Sequence, residues 1–132
     1  MAVDVEITSH VDDVLRELRN AKQRALEAIG LQAEGYAFML APHDTGRLRN
    51  SIAHVTQTTK STGKGSPATP EDSKARGSVD EDSVVIGTNV EYAVYQEFGT
   101  SRNPEGHPFL KPALMEHLDE YKRIAEDALK NA

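Results

Sequence analysis

The chain has 132 residues, of which 38% are hydrophobic and 27% charged, and its formal net charge is −6. This length suits one domain with a single core, so we expect residues 1–132 to form one domain. The acidic balance argues against a protein that grips duplex DNA, because such proteins need a surplus of Lys and Arg. The lack of cysteine excludes disulfides and thiolate sites. We also expect no signal peptide and no membrane-spanning segment.

The N-terminal residues predict a strand followed by a long helix. Residues 3–7 alternate apolar and polar side chains, which is typical of a strand with one buried face. Ser9 and Asp12 have the spacing of a capping box and therefore predict a helix start. Apolar residues then recur every three to four positions as far as Pro42, which indicates one long helix. Two glycines within this predicted helix, Gly30 and Gly35, favour a bend or break in it.

The middle of the chain predicts two strands separated by a polar segment. Residues 52–58 are rich in Thr and 83–88 in β-branched residues, so each predicts a strand. Residues 59–80 contain few apolar side chains and many Gly, Pro and Ser, so we expect a long hairpin-like loop, either flexible or ordered by a partner.

The C-terminal third predicts two further helices. Tyr92, Tyr95 and Phe98 can line a short helix that ends at Gly99 in a left-handed conformation, with an aromatic mini-core under the adjoining loop. A last helix follows, with Pro112 in its first turn. Its predicted apolar face consists of Leu110, Leu114, Leu118, Tyr121, Ala125 and Ala128.

These elements together predict an α+β fold. We expect an antiparallel sheet of three to four strands, packed by the long N-terminal helix and the C-terminal helix.

The triplet Asp-Thr-Gly at 44–46 raises the possibility of a retroviral-type aspartic protease with Asp44 as its catalyst. Such an enzyme needs two close carboxylates in a rigid β framework. Here the triplet follows the end of a helix, and Arg47 and Arg49 would hold the carboxylate ionised. The triplet is better explained as a turn in which Gly46 adopts an unusual φ before a short helical turn.

Other chemistries find no support in the sequence. The five histidines, at positions 10, 43, 54, 107 and 117, lack the close helical pairing of a zinc site. No Gly-rich phosphate loop or Ser elbow is present. We therefore expect no catalytic residue, no metal and no cofactor.

Two motifs in a fixed order carry a family resemblance. The first is "DTGRLRNSI" at 44–52, and the second runs from "YAVYQEFGT" at 92–100 to "PFLKPA" at 108–113. In this order they resemble the HK97 gp10-like family of tailed-phage proteins, also described as tail-completion or tail-to-head joining proteins. The resemblance covers about residues 10–130.

The resemblance implies that the motif residues serve folding and assembly rather than catalysis. In the first motif these residues are Asp44, Thr45, Gly46, Leu48, Ser51 and Ile52. In the second they are Tyr92, Ala93, Tyr95, Glu97, Phe98, Gly99, Thr100, Pro108, Phe109, Leu110, Pro112 and Ala113.

The resemblance also implies a place in the virion. Copies of the subunit, usually six, would form a ring at the head–tail interface, assembled in the host cytoplasm, between the head-completion or stopper protein of the connector and the tail tube protein. Viral DNA would pass through the ring without specific binding, and the acidic charge suits such a channel. A non-viral α+β protein-interaction module is the alternative, and it would give a monomer or a dimer.

The 59–80 segment is longer and more hydrophilic than the family core requires. It carries the basic residues Lys60, Lys64, Lys74 and Arg76 in an otherwise acidic chain. We expect these residues to contact an acidic neighbour, with the segment mobile in the isolated subunit and ordered in the assembled tail. Deletion of residues 61–78 is expected to leave the subunit folded but to impair joining of tails to heads.

Overall fold

The computed structural model describes the backbone of residues 2–42, 46–77 and 79–131, and side chains from residue 11 onward within those ranges. Five helices and two strands form an α+β arrangement. In chain order they are α1 (Ala2–Leu40), α2 (Arg47–Ser51), β1 (Ala53–Val55), β2 (Val85–Gly87), α3 (Ala93–Phe98), α4 (Leu110–Met115) and α5 (Leu118–Lys130).

The N-terminal strand prediction is wrong, because residues 3–7 belong to α1. The capping box at Ser9 does not start a helix either, since α1 already begins at Ala2. Extending an existing helix fixes one residue per new hydrogen bond, whereas a strand needs a partner edge. Within the described ranges the two strands pair with each other, and nothing offers residues 3–7 such an edge.

Helix α1 is the long helix that the periodicity predicts, and it has 39 residues. At 1.5 Å per residue it is about 58 Å long. The helix continues through Gly30 and Gly35 without a break. Its buried face consists mainly of small side chains, which let the other elements approach closely: Ala21, Ala25, Ala33 and Ala37, followed by Ala41 just after the helix.

The sheet is smaller than predicted. It has two antiparallel strands among the described residues, not three to four. β1 pairs with β2 in the register Ala53↔Gly87, His54↔Ile86 and Val55↔Val85. Both strands pack against α1, and the predicted strand residues on either side of them lie in irregular structure.

The predicted C-terminal helix is divided into α4 and α5 by a turn at residues 116–117. Ala113 and Tyr121 are buried, and the Tyr121 hydroxyl donates a 2.6 Å hydrogen bond to the Ala113 carbonyl across the turn. The predicted apolar face is wrong at Leu114 and Leu118, which are exposed. The turn rotates α5 relative to α4, so one periodic stripe cannot continue through both helices.

Helix α5 runs antiparallel to α1. At its start, the ring of His117 stacks on Tyr36 with centroids 3.5 Å apart, and the Tyr36 hydroxyl donates to Glu120 at 2.5 Å. At its end, Leu129 shares an apolar groove with Leu15 near the other end of α1.

The main core lies at the C-terminal end of α1 and contains Ala37, Ala41, Leu48, Ile52, Val90, Ala93, Phe109 and Ala113.

Candidate assembly site

The first motif forms a turn and the short helix α2. Gly46 precedes α2 with φ 78° and ψ −11°, the left-handed conformation expected of this glycine. Leu48 and Ile52 point into the core. Ser51 is fully buried, and its hydroxyl donates to the Leu48 carbonyl at 2.6 Å. Two further motif positions, Asp44 and Thr45, lie outside the described residues.

The second motif begins with α3, which agrees with the predicted short helix. Tyr92 precedes the helix and packs against the core, and Ala93 is part of that core. Gly99 ends the helix with φ 92° and ψ 178°, a positive φ but not the predicted left-handed helical conformation. The hydroxyl oxygen of Thr100 accepts hydrogen bonds from the backbone N–H groups of Arg102 and Asn103, which closes the following turn.

Glu97 links α3 to α4. Its side chain is buried, and one carboxylate oxygen accepts hydrogen bonds from the backbone N–H groups of Phe109 (3.0 Å) and Leu110 (2.8 Å). The other oxygen accepts from the N–H of Lys111 at 3.0 Å. The first N–H groups of a helix have no partners within it, so a carboxylate from another helix satisfies them here. Glu97 therefore fixes the angle between the two helices.

The buried members of the two motifs meet in one place. Leu48 and Ile52 from the first motif share the core with Ala93, Phe109 and Ala113 from the second. Two other members lie at the edge of this core, since Leu110 packs against it from α4 and Pro112 sits in the first turn of that helix. The motifs are thus distant in sequence but adjacent in the fold. The remaining members, Tyr95, Phe98 and Pro108, are exposed.

The predicted aromatic mini-core is wrong, because Tyr95 and Phe98 face outward. Phe98 is 73% exposed. Together with Val94 and Leu114 it borders a shallow, largely apolar pocket of about 360 Å³ between α3 and α4. We call Val94, Phe98 and Leu114 the α3–α4 surface. A surface of this kind on a small subunit is typical of a protein contact.

The 59–80 segment is tied to the rest of the subunit through Asp72. The guanidinium of Arg47 donates two hydrogen bonds to its carboxylate, at 3.0 and 2.9 Å, and holds the pKa of Asp72 well below its usual range. The carbonyl of Asp72 accepts from the N–H of Asn89 at 2.8 Å. A second tie joins the N–H of Lys64 to the carbonyl of Asn50 at 2.8 Å.

The four basic residues predicted to contact a partner divide into two locations. Lys60, Lys74 and Arg76 line one pocket of about 350 Å³, together with Val55, Pro70 and Ala75. Lys74 forms an exposed ion pair with Glu71 at 2.6 Å. The fourth residue, Lys64, lies elsewhere, with its ammonium 5.7 Å from the centre of the Phe38 ring.

A buried polar cluster between α1 and β1 was not predicted. The two ring nitrogens of His54 lie 3.4 Å from a carboxylate oxygen of Glu34 and 3.5 Å from one of Glu27. The hydroxyl of Ser61 donates to Glu34 at 2.6 Å, and that of Thr56 donates to Glu27. Glu27 and Glu34 lie two turns apart on α1, and this spacing on the buried side of the helix is the signal that could have revealed the cluster.

Mutual interactions favour the charged forms of these side chains. The hydrogen bond with Glu34 and the two neighbouring negative charges raise the pKa of His54, despite its burial. Burial acts to raise the pKa of Glu34, but the hydrogen bonds with His54 and Ser61 outweigh it and lower the pKa. The pKa of Glu27 is lowered in the same way, mainly by Thr56 against the effect of burial. The cluster thus joins the segment after β1 to the middle of α1.

Two kinds of site do not occur in the described part of the chain. Its His, Asp and Glu side chains form no group of three that could hold a metal ion. None of its helices combines the length and the apolar character that crossing a bilayer requires.

Comparison with known proteins identifies the family. A family model of HK97-gp10-like bacteriophage tail components matches residues 6–99. The chain belongs to this family. The match includes most of α1, the first motif and the second motif as far as Gly99, and it confirms the family inferred from the sequence. The "PFLKPA" part of the second motif, at 108–113, lies outside the match. No curated protein and no solved structure shows significant similarity to the chain.

Membership of the HK97-gp10-like family defines the class of protein. The family is one of structural tail components and is not a known enzyme family, and it implies a place in the virion beside other structural proteins of the phage. Within this family member, α4 and α5 lie beyond the matched range, yet Phe109, just before α4, and Ala113, within it, complete the core.

Proposed function

We propose that this HK97-gp10-like protein is a subunit of an oligomeric ring at the head–tail interface of a tailed bacteriophage, with six copies in the ring. The ring joins the connector or its stopper protein to the tail tube and lets viral DNA pass. The whole chain acts as one domain whose motif residues build the core beneath the contact surfaces. The net charge of −6 suits a passage from which phosphates must slide free.

The proposal rests on one observation: in this tail component, the rest of the subunit does not cover the α3–α4 surface. Val94 and Phe98 are more than half exposed, and Leu114 lies beside them. The motif residues Glu97 and Phe109 hold the two helices in place from below. Large apolar side chains held on a rigid support are what a protein–protein contact needs at its centre.

The proposal is tested by mass and symmetry. Native mass spectrometry of the purified protein, together with six-fold averaging of the neck in phage particles, should give six times the 14.5 kDa subunit mass and a six-fold density at the head–tail joint. A protein that is only monomeric or dimeric, and that is absent from the neck, would contradict the proposal and favour a small interaction module.

We further propose that the basic pocket of the 59–80 segment contacts an acidic segment of the head-side or tail-side neighbour. Lys60 and Arg76 form no ion pair within the described ranges, so both remain available to bind a carboxylate. The apolar floor of Val55, Pro70 and Ala75 suits the stem of a glutamate. Electrostatic matching of this kind sets the register of a contact more than its affinity.

Charge reversal tests this contact more cleanly than deletion of residues 61–78. The deletion also removes Ser61 and Asp72, which anchor the segment inside the subunit. The double variant Lys60→Glu, Arg76→Glu should fold normally but lower the yield of joined, infectious particles. The control Lys122→Glu changes an exposed lysine on α5 and should leave the yield unchanged. Normal infectivity of the double variant would show that this pocket makes no essential contact.

A further inference from the structure

The N-terminal part of α1 is little covered by the rest of the subunit. Every residue from 11 to 20 is exposed, and Ala21 is the first buried residue with a described side chain. Residues 11–20 nevertheless have an apolar face. Val11, Val14, Leu15 and Leu18 follow helical spacing, and their exposed fractions run from 40% to 53%. We call these four residues the α1 stripe. An amphipathic stripe of this kind is normally covered by another element.

The α1 stripe and the α3–α4 surface lie at opposite ends of the subunit. Ala37 and Ala41 share the core with Ala93 of α3, which fixes the α3–α4 surface near the C-terminal end of α1. Leu15 lies 22 residues before Ala37 on the same helix. At 1.5 Å per residue the separation along the axis is about 33 Å. Because α1 is continuous, the stripe of one copy cannot cover the α3–α4 surface of that same copy.

We propose that the α1 stripe of one copy packs against the α3–α4 surface of the next copy in the ring. This inference rests on the proposed ring and names its subunit contact. Two different surfaces at opposite ends of a subunit give a head-to-tail contact, and repetition of such a contact closes a ring when the rotation allows it.

The dimensions of the two surfaces match. From Val11 to Leu18 the stripe is about 10 Å long, and α3 and α4, with six residues each, are about 9 Å long. Beside the stripe, Leu15 and Leu18 also border an apolar groove of about 510 Å³ between α1 and α5. The exposed ring of Phe98 from the neighbouring copy is the side chain that fills this groove.

Charge can orient the contact. Asp12 and Glu17 lie beside the stripe and are exposed, and Arg19 and Lys22 line the groove next to it, whereas Lys111 lines the pocket of the α3–α4 surface. Lys22 already pairs with Asp82, but Asp12, Glu17 and Lys111 form no ion pair with another residue that the structure describes. Pairing of Lys111 with Asp12 or Glu17 across the contact would set the relative orientation of the copies. A second copy of this chain is therefore the occupant that fits by size and by polarity, with Lys111 available to these two carboxylates.

Cysteine cross-linking tests the contact, since the chain has no cysteine of its own. The variant Leu15→Cys is mixed with the variant Phe98→Cys and treated with a short bismaleimide. We expect a cross-linked dimer that contains one copy of each variant. When both substitutions are in one chain, we expect a ladder of cross-linked multimers. The matched pair Arg102→Cys with Lys122→Cys, at exposed polar positions, should give no ladder.

Two variants supply an independent readout. Leu18→Glu and Phe98→Glu each place a charge on an exposed position, so unfolding of the subunit should be unchanged while the multimer separates into 14.5 kDa subunits. Lys122→Glu should keep the multimer. A ring that forms without the Leu15–Phe98 cross-link overturns this contact and leaves the proposed function intact. A protein that stays monomeric in solution and in phage particles overturns both.

Discussion

Gly30 lies directly beneath the ring of His54, and a β-carbon at this position would come within 2.7 Å of the Cδ2 atom of the ring. The same β-carbon would lie 2.8 Å from a methyl group of Val84. Gly30 is therefore the position at which α1 comes close enough to the sheet for the buried polar cluster to form. A glycine is required here because there is no room for a β-carbon, not because the backbone has an unusual conformation.

The two glycines of α1 provide a matched pair of substitutions. Alanine is favoured over glycine inside a helix by about 1 kcal/mol, so Gly35→Ala, with nothing within 4 Å of its β-carbon, should stabilise the protein by about that amount. Gly30→Ala gains the same propensity but forces His54 and Val84 to move, which typically costs about 1–3 kcal/mol. Urea unfolding of both variants measures the difference. Equal stability of the two variants would contradict the close approach at Gly30.

Glu97 should contribute to stability through the helix that it caps. Glu97→Ala leaves the buried N–H groups of Phe109, Leu110 and Lys111 without their acceptor, and we expect a loss of roughly 1–3 kcal/mol. Glu97→Gln keeps one oxygen for two of these groups and should lose less. Thermal unfolding of the wild type and the two variants should show that stability decreases in the order wild type, Gln variant, Ala variant. An Ala variant as stable as the Gln variant would exclude a capping role.

The cluster around His54 should make stability depend on pH. The raised pKa of His54 means that its contribution is complete below its ordinary value of 6.5 and is lost as the pH rises through the higher folded value. The lowered pKa of Glu34 means that its contribution is present above 4.5 and is lost as the pH falls. The cluster therefore stabilises the fold most between these two values.

This pH dependence can be assigned to His54 by substitution. The free energy of unfolding of the wild type should fall as the pH rises from about 6.5 through the raised pKa of His54, since the imidazolium loses its proton in the folded state. The variant His54→Gln should be less stable at the lower pH and should lose most of that slope. A slope that is unchanged in the variant would mean that other groups cause it.

The ion pair of Arg47 and Asp72 should order part of the 59–80 segment within the isolated subunit. In the wild type we expect slow hydrogen exchange at the amide of Asn89, which donates to the carbonyl of Asp72, and faster exchange at Arg76 and Gly77. Asp72→Asn removes the charge that Arg47 binds, so protection at Asn89 should fall. Exposed Glu105→Gln serves as the control. Uniformly fast exchange of the segment in the wild type would support ordering by a partner alone.

Asp44 should have no catalytic role. The purified protein should cleave no peptide substrate, and Asp44→Asn should behave as the wild type in the same assay. The reason is chemical, because Arg47 and Arg49 follow Asp44 closely in the chain and favour its ionised form. Cleavage by the wild type that disappears in the variant would revive the protease hypothesis.

Local patterns predicted the elements of this protein better than their ends. The periodicity of α1, the β-branched run before Gly87 and the glycine at the end of α3 all indicated the correct element. The alternation at residues 3–7 failed because a downstream helix can extend over β-branched residues when no strand edge is available. At the division between α4 and α5, His117 stacks on Tyr36 of α1, a long-range contact that a local pattern does not contain.

The motifs indicated which residues matter but not what each one does. Glu97 was named within a motif, yet its partners are 12 to 14 positions away, and only the folded chain brings them together. The sequence could not show that Phe109 is buried while Phe98 is exposed. Both phenylalanines belong to the same aromatic-rich stretch, and the turn between them decides which one is covered.

That turn, residues 99–106, is shaped by main-chain contacts and by the hydroxyl of Thr100. A β-carbon at Gly106 would lie 2.6 Å from the backbone nitrogen of Gly99, and the N–H of His107 donates to the carbonyl of Gln96 at 2.6 Å. The side chains at 101, 102 and 105 are exposed and take no part in these contacts. Their identity is thus separated from the free energy of folding, so this turn can accept sequence change at three positions while the subunit around it keeps its shape.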